Sequence, residues 1–148
     1  MGLDFSARFA GSEPLQIQAL DRLCDALVQH PLVGRVISIH AVRSAGAVLD
    51  VLESHGLLIP NPDSPVIIFH WFSGTSDELV RARDADCYFS VNQRMLATKR
   101  GREYADRSHS IVYCSRPMHR RGKHRNKRTV AHQIAHKDLR THRLTQKL

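Results

Sequence analysis

With 148 residues, 42% of them hydrophobic, the chain is long enough to form one domain with a buried core. Its formal net charge of +8 comes from one end, because residues 1–115 carry 11 Lys and Arg against 13 Asp and Glu, while residues 116–148 carry 11 against one. The three cysteines are widely spaced, which excludes a disulfide framework and a CxxC zinc site. The sequence shows no long apolar run and no N-terminal leader, so we expect a cytoplasmic protein without a membrane partner.

Hydrophobic periodicity predicts alternating helices and strands over most of the chain. In chain order we expect a helix at residues 13–30, a strand at 33–40, a helix at 44–56, a strand at 65–72, a helix at 75–85, a strand at 87–91 and a helix at 92–105. The strands are apolar along their whole length, which is typical of a parallel sheet covered by helices. These β/α units predict an α/β fold that is either part of a (β/α)8 TIM barrel or most of a small open sheet.

Two histidines, His40 and His70, end two of the predicted strands. In parallel α/β folds the carboxyl ends of the strands form the active-site face, and neutral imidazole is a good ligand for divalent transition metals. A lone histidine at a strand end is more often structural, but two at equivalent points of successive β/α units favour a metal site. The Phe-Ser-Gly loop after His70 is small enough for backbone amides to approach an anion.

Three segments, SIHAVRSAGAVLDVLE, HWFSG and YFSVNQRMLATKRGRE, resemble the TatD family of metal-dependent deoxyribonucleases. The likeness is strongest to the TatD-like subgroup found in bacterial phage-defence clusters. The family's IHSR is matched by residues 39–43, its HxFSG by residues 70–74 and its GLDF by residues 2–5. The matched motifs lie within residues 2–103 and follow the family's order.

The resemblance implies a (β/α)8 barrel of the metal-dependent hydrolase type, in which a divalent metal (Mg²⁺, Mn²⁺ or Zn²⁺) activates water to cleave phosphodiester bonds of DNA. Carried over by position, His40 and His70 would be two of the metal ligands. Arg43, Ser73 and Gly74 would lie near the substrate phosphate. No catalytic residue is assigned by this likeness.

The family's other metal ligands are not readable in the chain. An HxH pair and a bridging Glu would precede the family's GLDF, and a late ETD motif would follow the last predicted helix. We therefore expect a chain truncated at both ends, with Met1 arising from an internal start codon. Metal binding is expected to be weak or absent, and the fragment to be inactive alone.

The missing ETD motif is recovered when residues 104–120 are back-translated and read from the third base of the Tyr104 codon. With suitable synonymous codons, the shifted frame gives CRSQPLDRILLETDAP. Synonymous codons differ mainly at their third bases, so most bases of the shifted frame are dictated by the observed residues. A match of this length is therefore hard to obtain by choosing codons. We therefore expect a frameshift near residues 100–105, which divides the chain into an incomplete barrel (1–103) and an out-of-frame basic tail (104–148).

The basic tail has too few apolar residues to fold and is predicted to be disordered. One alternative is a non-enzymatic nucleic-acid-binding protein, in which this tail binds phosphates without sequence preference. A metal site at His132 and His136, four residues apart, is a weaker hypothesis. A small open α/β regulatory domain without metal affinity is a further alternative.

Overall fold

In the computed structural model, the structure describes residues 1–59, 61, 64–108 and 111–113. Most of the tail that is predicted to be disordered (104–148) therefore lies outside the described residues, and so does the metal site predicted at His132 and His136. The described part contains a five-stranded sheet in which every neighbouring pair of strands is parallel.

The strands of this sheet are β1 (Gly2–Asp4), β2 (Val36–Val42), β3 (Val66–His70), β4 (Tyr88–Val91) and β5 (Ile111–Tyr113). The helices are α1 (Glu13–Gln29), α2 (Ala45–Ser54), α3 (Ser76–Asp84), α4 (Gln93–Leu96) and α5 (Lys99–Arg107), with a short 3-10 turn at Ala7–Phe9. The strands are ordered β1-β2-β3-β4-β5 across the sheet.

This sequential order decides between the two architectures that the sequence left open. A doubly wound open sheet reverses its strand order at a switch point, whereas a barrel adds each new strand beside the previous one. The five described strands follow one another without reversal. The prediction of an α/β fold formed by part of a TIM barrel is confirmed.

The two faces of the sheet differ, although the strands read as apolar throughout. Along β2, burial alternates: Ile37, Ile39 and Ala41 are buried, while the residues between them are largely exposed. The buried set packs with the helices in one core cluster. Within the described residues, the helices therefore cover one face of the sheet. The opposite face is exposed along β2, where it carries Ser38 and His40, and is buried at Ile68, Ser90 and Val112 on the later strands.

Two predicted elements changed because of local contacts. β2 begins at Val36, after a turn in which Gly34 adopts a left-handed φ of 76°. The helix predicted at residues 92–105 is divided into α4 and α5 by Thr98, whose hydroxyl donates to Met95 O (2.9 Å) and accepts from Gly101 N–H (3.0 Å). Thr98 therefore ends one helix and caps the next.

Described structure continues beyond the domain boundary predicted at residues 103/104. Residues 104–107 complete α5, and β5 follows at Ile111–Tyr113, paired with β4. The division at residue 103 and the out-of-frame origin of the residues after it stay predictions. Within the described residues, no helix is both long and apolar enough to cross a membrane.

Cys24 and Cys87 are buried as free thiols. Burial raises the pKa of Cys24 to about 11 and that of Cys87 to about 12, and neighbouring aspartates add to both shifts. Both side chains therefore stay protonated near neutral pH and act as small apolar core residues.

Candidate active site at the carboxyl edge of the sheet

His40 and His70 lie side by side where β2 and β3 end. They are direct partners in the parallel register of the two strands. Aligned residues of neighbouring strands point to the same face, with backbones about 4.8 Å apart. The two imidazoles therefore share the face of the sheet opposite the helices, at its carboxyl edge, the edge at which the strands end.

Ser90 on β4 extends this row by one strand and is only 4% exposed. It is the register partner of His70, and its Oγ lies 3.1 Å from His70 Nδ1. When Nδ1–H donates to this hydroxyl, Nε2 is the acceptor atom of the ring, which is the arrangement that orients a metal-binding histidine. The sequence reasoning missed Ser90, although it stands in the third predicted strand.

Asp4 adds a carboxylate to the same edge, from β1. Gly2 is the register partner of His40, so Asp4 lies two residues further along on the same face. The pKa of Asp4 is lowered, first by hydrogen bonds with Ser6 and to a smaller degree by electrostatic interactions with His40 and Arg8. Asp4 therefore stays ionised beside His40. The sequence matched it to the GLDF motif without assigning it a role.

The backbone is strained directly after both histidine-bearing strands. Arg43 and Trp71 have φ values of 54° and 53°, in the left-handed region that favours glycine. Such residues cost about 1–3 kcal/mol each and persist only where surrounding contacts hold them. At Trp71 these contacts are a hydrogen bond from its backbone N–H to Ser90 Oγ (3.2 Å) and a stacked His70 ring.

Arg43, predicted to lie near a phosphate, is exposed at this edge. The next residue, Ser44, is buried, and its hydroxyl donates to Leu3 O at 2.9 Å. This bond ties the end of β2 to β1. The guanidinium of Arg43 thus projects from a loop whose base is fixed.

Ser73 and Gly74, the other two residues predicted to bind substrate, have different surroundings. Ser73 is exposed, and its Oγ lies 3.5 Å from Ala41 O, which is a long contact. Gly74 is buried, and its carbonyl accepts hydrogen bonds from Arg100 Nη2 (2.8 Å) and from the Tyr104 hydroxyl. A Cβ at Gly74 would lie 2.5 Å from Phe72 Cζ. The glycine is therefore required by packing, and its role toward substrate stays a prediction.

Glu78 fixes the loop that contains Gly74. Its carboxylate accepts from Thr75 N–H (2.6 Å) in the capping box that starts α3, and from Gly46 N–H (2.7 Å) near the start of α2. One side chain thus joins the N-termini of two helices behind the strand ends. The loop after His70 is anchored from both sides.

A second group of metal-ligand types lies elsewhere. His55 Nε2 is 3.2 Å from Asp25 Oδ1 and 3.5 Å from Asp21 Oδ1, and the ligand atoms of all three residues lie within 4.8 Å of one another. His55 follows α2, which begins at the carboxyl edge and returns across the sheet, so this group belongs to the opposite, amino edge. The sequence reasoning did not single out these residues.

The pKa of His55 is raised, mainly by the hydrogen bond between Nδ1 and Val51 O (2.8 Å) and further by Asp21 and Asp25. A protonated imidazole offsets one of the two carboxylate charges, so the group keeps a net charge of −1. The group could also bind a cation in place of the proton, through Nε2 and the two carboxylates. Its position gives it no access to the carboxyl edge.

Comparison of the sequence with known families shows to which family the chain is related. The family model described as TatD related DNase matches residues 1–112, which is more than half of the chain. No curated protein matches the chain. The matched residues include the row of His40, His70 and Ser90 and the loops that follow the strands. The chain belongs to the TatD related DNase family, whose members are metal-dependent hydrolases that act on DNA.

Proposed function

We propose that the carboxyl edge is the part of a DNA-hydrolysing metal site that this chain carries, with His40 and His70 as metal ligands. The observation that supports this most strongly is their register, because it places two imidazoles side by side where the strands end. A metal bound there would supply a water-derived nucleophile and offset charge on a phosphodiester.

The donor set fits a divalent metal in part. Two imidazoles suit Mn²⁺ or Zn²⁺ better than Mg²⁺, and the ionised Asp4 carboxylate beside His40 adds an oxygen donor at the same edge. The hydroxyl of Ser90 would hold the His70 ring in the tautomer that directs Nε2 outward. Arg43 and Ser73, exposed on the loops that follow, would contact the phosphate.

We further propose that the chain binds metal weakly and does not hydrolyse DNA unaided. Among the described residues, the one set of three His, Cys, Asp or Glu ligands whose donor atoms lie close together is Asp21, Asp25 and His55, at the other edge. Two imidazoles leave most of the coordination of a metal to water. A hydrolytic centre needs its full ligand set to position the metal and the attacking water.

Purified chain incubated with single-stranded DNA and Mn²⁺ tests this proposal. We expect no cleavage above that of the variant His40→Ala/His70→Ala. Chelator-sensitive hydrolysis that the double variant loses would refute inactivity while supporting the site. Hydrolysis that persists in the double variant would refute both the proposed inactivity and the proposed site.

A second candidate function depends on residues 116–148, whose net charge is +10. Such a segment binds nucleic acid through counterion release, with steep salt dependence and no sequence preference. Comparing DNA affinity of the full chain with that of a chain ending at residue 113 separates the two functions. Loss of all DNA binding on deletion would favour this candidate over the site at the carboxyl edge.

We also propose that the residues after α5 derive from a changed reading frame and that the parent belonged to the phage-defence subgroup. The family match ends at residue 112, and the back-translated motif overlaps the same region. Sequencing the gene across codons 100–120 tests the frame. A base order that cannot yield ETDAP in another frame would contradict it.

A further inference from the structure

Trp71 is the single tryptophan of the chain and stands directly after His70. Its side chain is 45% exposed, whereas the next residue, Phe72, is 3% exposed and packs against Phe69, Phe89 and Tyr104. Two adjacent aromatic residues thus point to different environments. Phe72 supplies the core contact of this loop, so anchoring the loop does not require Trp71.

The exposed indole is held in one orientation. Its ring stacks on His70 with centroids 4.7 Å apart and planes inclined by 22°. Its backbone N–H donates to the same Ser90 hydroxyl that binds His70 Nδ1. These contacts maintain the left-handed φ of 53°, and the stacking on His70 orients the ring although its outer part meets solvent.

We propose that Trp71 is a stacking platform for one unpaired base of a DNA strand whose phosphate lies at the row of His40 and His70. An ordered, solvent-exposed indole offers an aromatic face with little entropy left to lose, and base–aromatic stacking is the common way in which proteins hold single strands. In a duplex the faces of a base are covered by its neighbours, so the platform selects single-stranded or frayed DNA. Arg43, the first residue after β2, is exposed and supplies positive charge to the same edge.

The inference rests on the proposed function for its choice of DNA, but its test requires neither metal nor hydrolysis. Because Trp71 is the one tryptophan, fluorescence of the full chain excited at the indole band reports on this position alone. In the presence of a chelator, the chain is titrated with a short oligothymidylate and with an abasic oligomer of equal length and charge. Anisotropy of an end label gives the affinity for each oligomer.

We expect saturable quenching by the oligothymidylate and little by the abasic oligomer. Trp71→Ala should weaken binding of the oligothymidylate about tenfold and leave that of the abasic oligomer nearly unchanged, and Trp71→Phe should keep most of the difference. Ile59→Ala, another exposed apolar residue, is the matched control and should change neither affinity. Circular dichroism and thermal unfolding show whether each variant is folded.

Three results would overturn the platform: no binding of oligothymidylate, unchanged tryptophan fluorescence at saturation, or an equal loss of affinity for both oligomers in Trp71→Ala. The basic segment binds both oligomers alike, so it cannot produce the expected difference. If the base-dependent response persists while His40 and His70 show no affinity for metal, the proposed metal site fails and the platform stands. If metal binds at His40 and His70 but the base-dependent response is absent, only the platform is rejected.

Discussion

At the amino edge of the sheet, His55 lies within 3.5 Å of two aspartates and is bonded to the carbonyl of Val51, whereas at the carboxyl edge His40 and His70 lie beside each other. The first histidine joins α2 to α1 through opposite charges. His40 and His70 share the face of the sheet opposite the helices, next to two residues with strained backbones. The comparison teaches that the surroundings of a histidine distinguish its role: the paired charges around His55 indicate a structural role, whereas the strained backbones beside His40 and His70 support the functional role that we propose for them.

The largest effect that we expect at the carboxyl edge is that of Gly74→Ala. The added methyl group would lie 2.5 Å from Phe72 Cζ and 3.0 Å from Ala45 Cβ, so the packing behind the strand ends must shift. We expect a loss of about 1–3 kcal/mol in the free energy of unfolding, measured with urea. Ser73→Ala, at the neighbouring exposed position, is the control, because the Ser73 hydroxyl makes only a long contact (3.5 Å) with Ala41 O. Equal effects of the two substitutions would contradict the packing role of Gly74.

Ser90→Ala should have a smaller effect on stability but a distinct effect on the histidine. It removes the hydroxyl that contacts His70 Nδ1 and Trp71 N–H, at a cost of about 1 kcal/mol. Imidazole NMR should then show both tautomers of His70. Ser38→Ala, on an exposed position of β2, is the control. A His70 spectrum that Ser90→Ala leaves unchanged would remove Ser90 from the site.

His55 should make stability depend on pH. Because its folded-state pKa is raised, its contribution is fully present below the unfolded pKa of about 6.5 and is lost as pH rises through the folded value. With exposed aspartates as partners, the contribution stays below about 1 kcal/mol. Unfolding free energies of the wild type and His55→Gln should therefore converge as the solution becomes alkaline. A difference that grows with pH would reverse this assignment.

The smallest effect belongs to the ion pairs of Arg81 with Asp50 and Glu53, between α3 and α2. The partners are exposed, so Arg81→Gln should cost about 0.5 kcal/mol at low salt and less in concentrated salt. The interaction also raises the pKa of Arg81, chiefly through the hydrogen bond with Asp50, so the arginine is charged at every accessible pH. A cost that salt does not reduce would show that Arg81 acts by packing.

Local pattern was sufficient to predict α1, α2, α3 and the positions of the two histidines. It failed at Thr98, whose hydroxyl divides the last helix through local contacts with Met95 and Gly101. It also failed at the short strands β1 and β5, where pairing with distant residues decides. The partnership of Ser90 with His70 joins residues 20 positions apart, and a serine in an apolar strand carries no signal of it. The exposure of Trp71 could not be predicted from the sequence either, because an aromatic residue next to an apolar strand is expected to lie in the core.

The central claim is that His40 and His70 form one metal site at the carboxyl edge. Titration of the chain with Mn²⁺, followed by the imidazole NMR signals of each histidine, tests it most directly, because paramagnetic broadening is local. We expect the signals of His40 and His70 to broaden together, ahead of His55, and His40→Ala to relieve the broadening of His70. Broadening at His55 while His40 and His70 stay sharp would contradict the account.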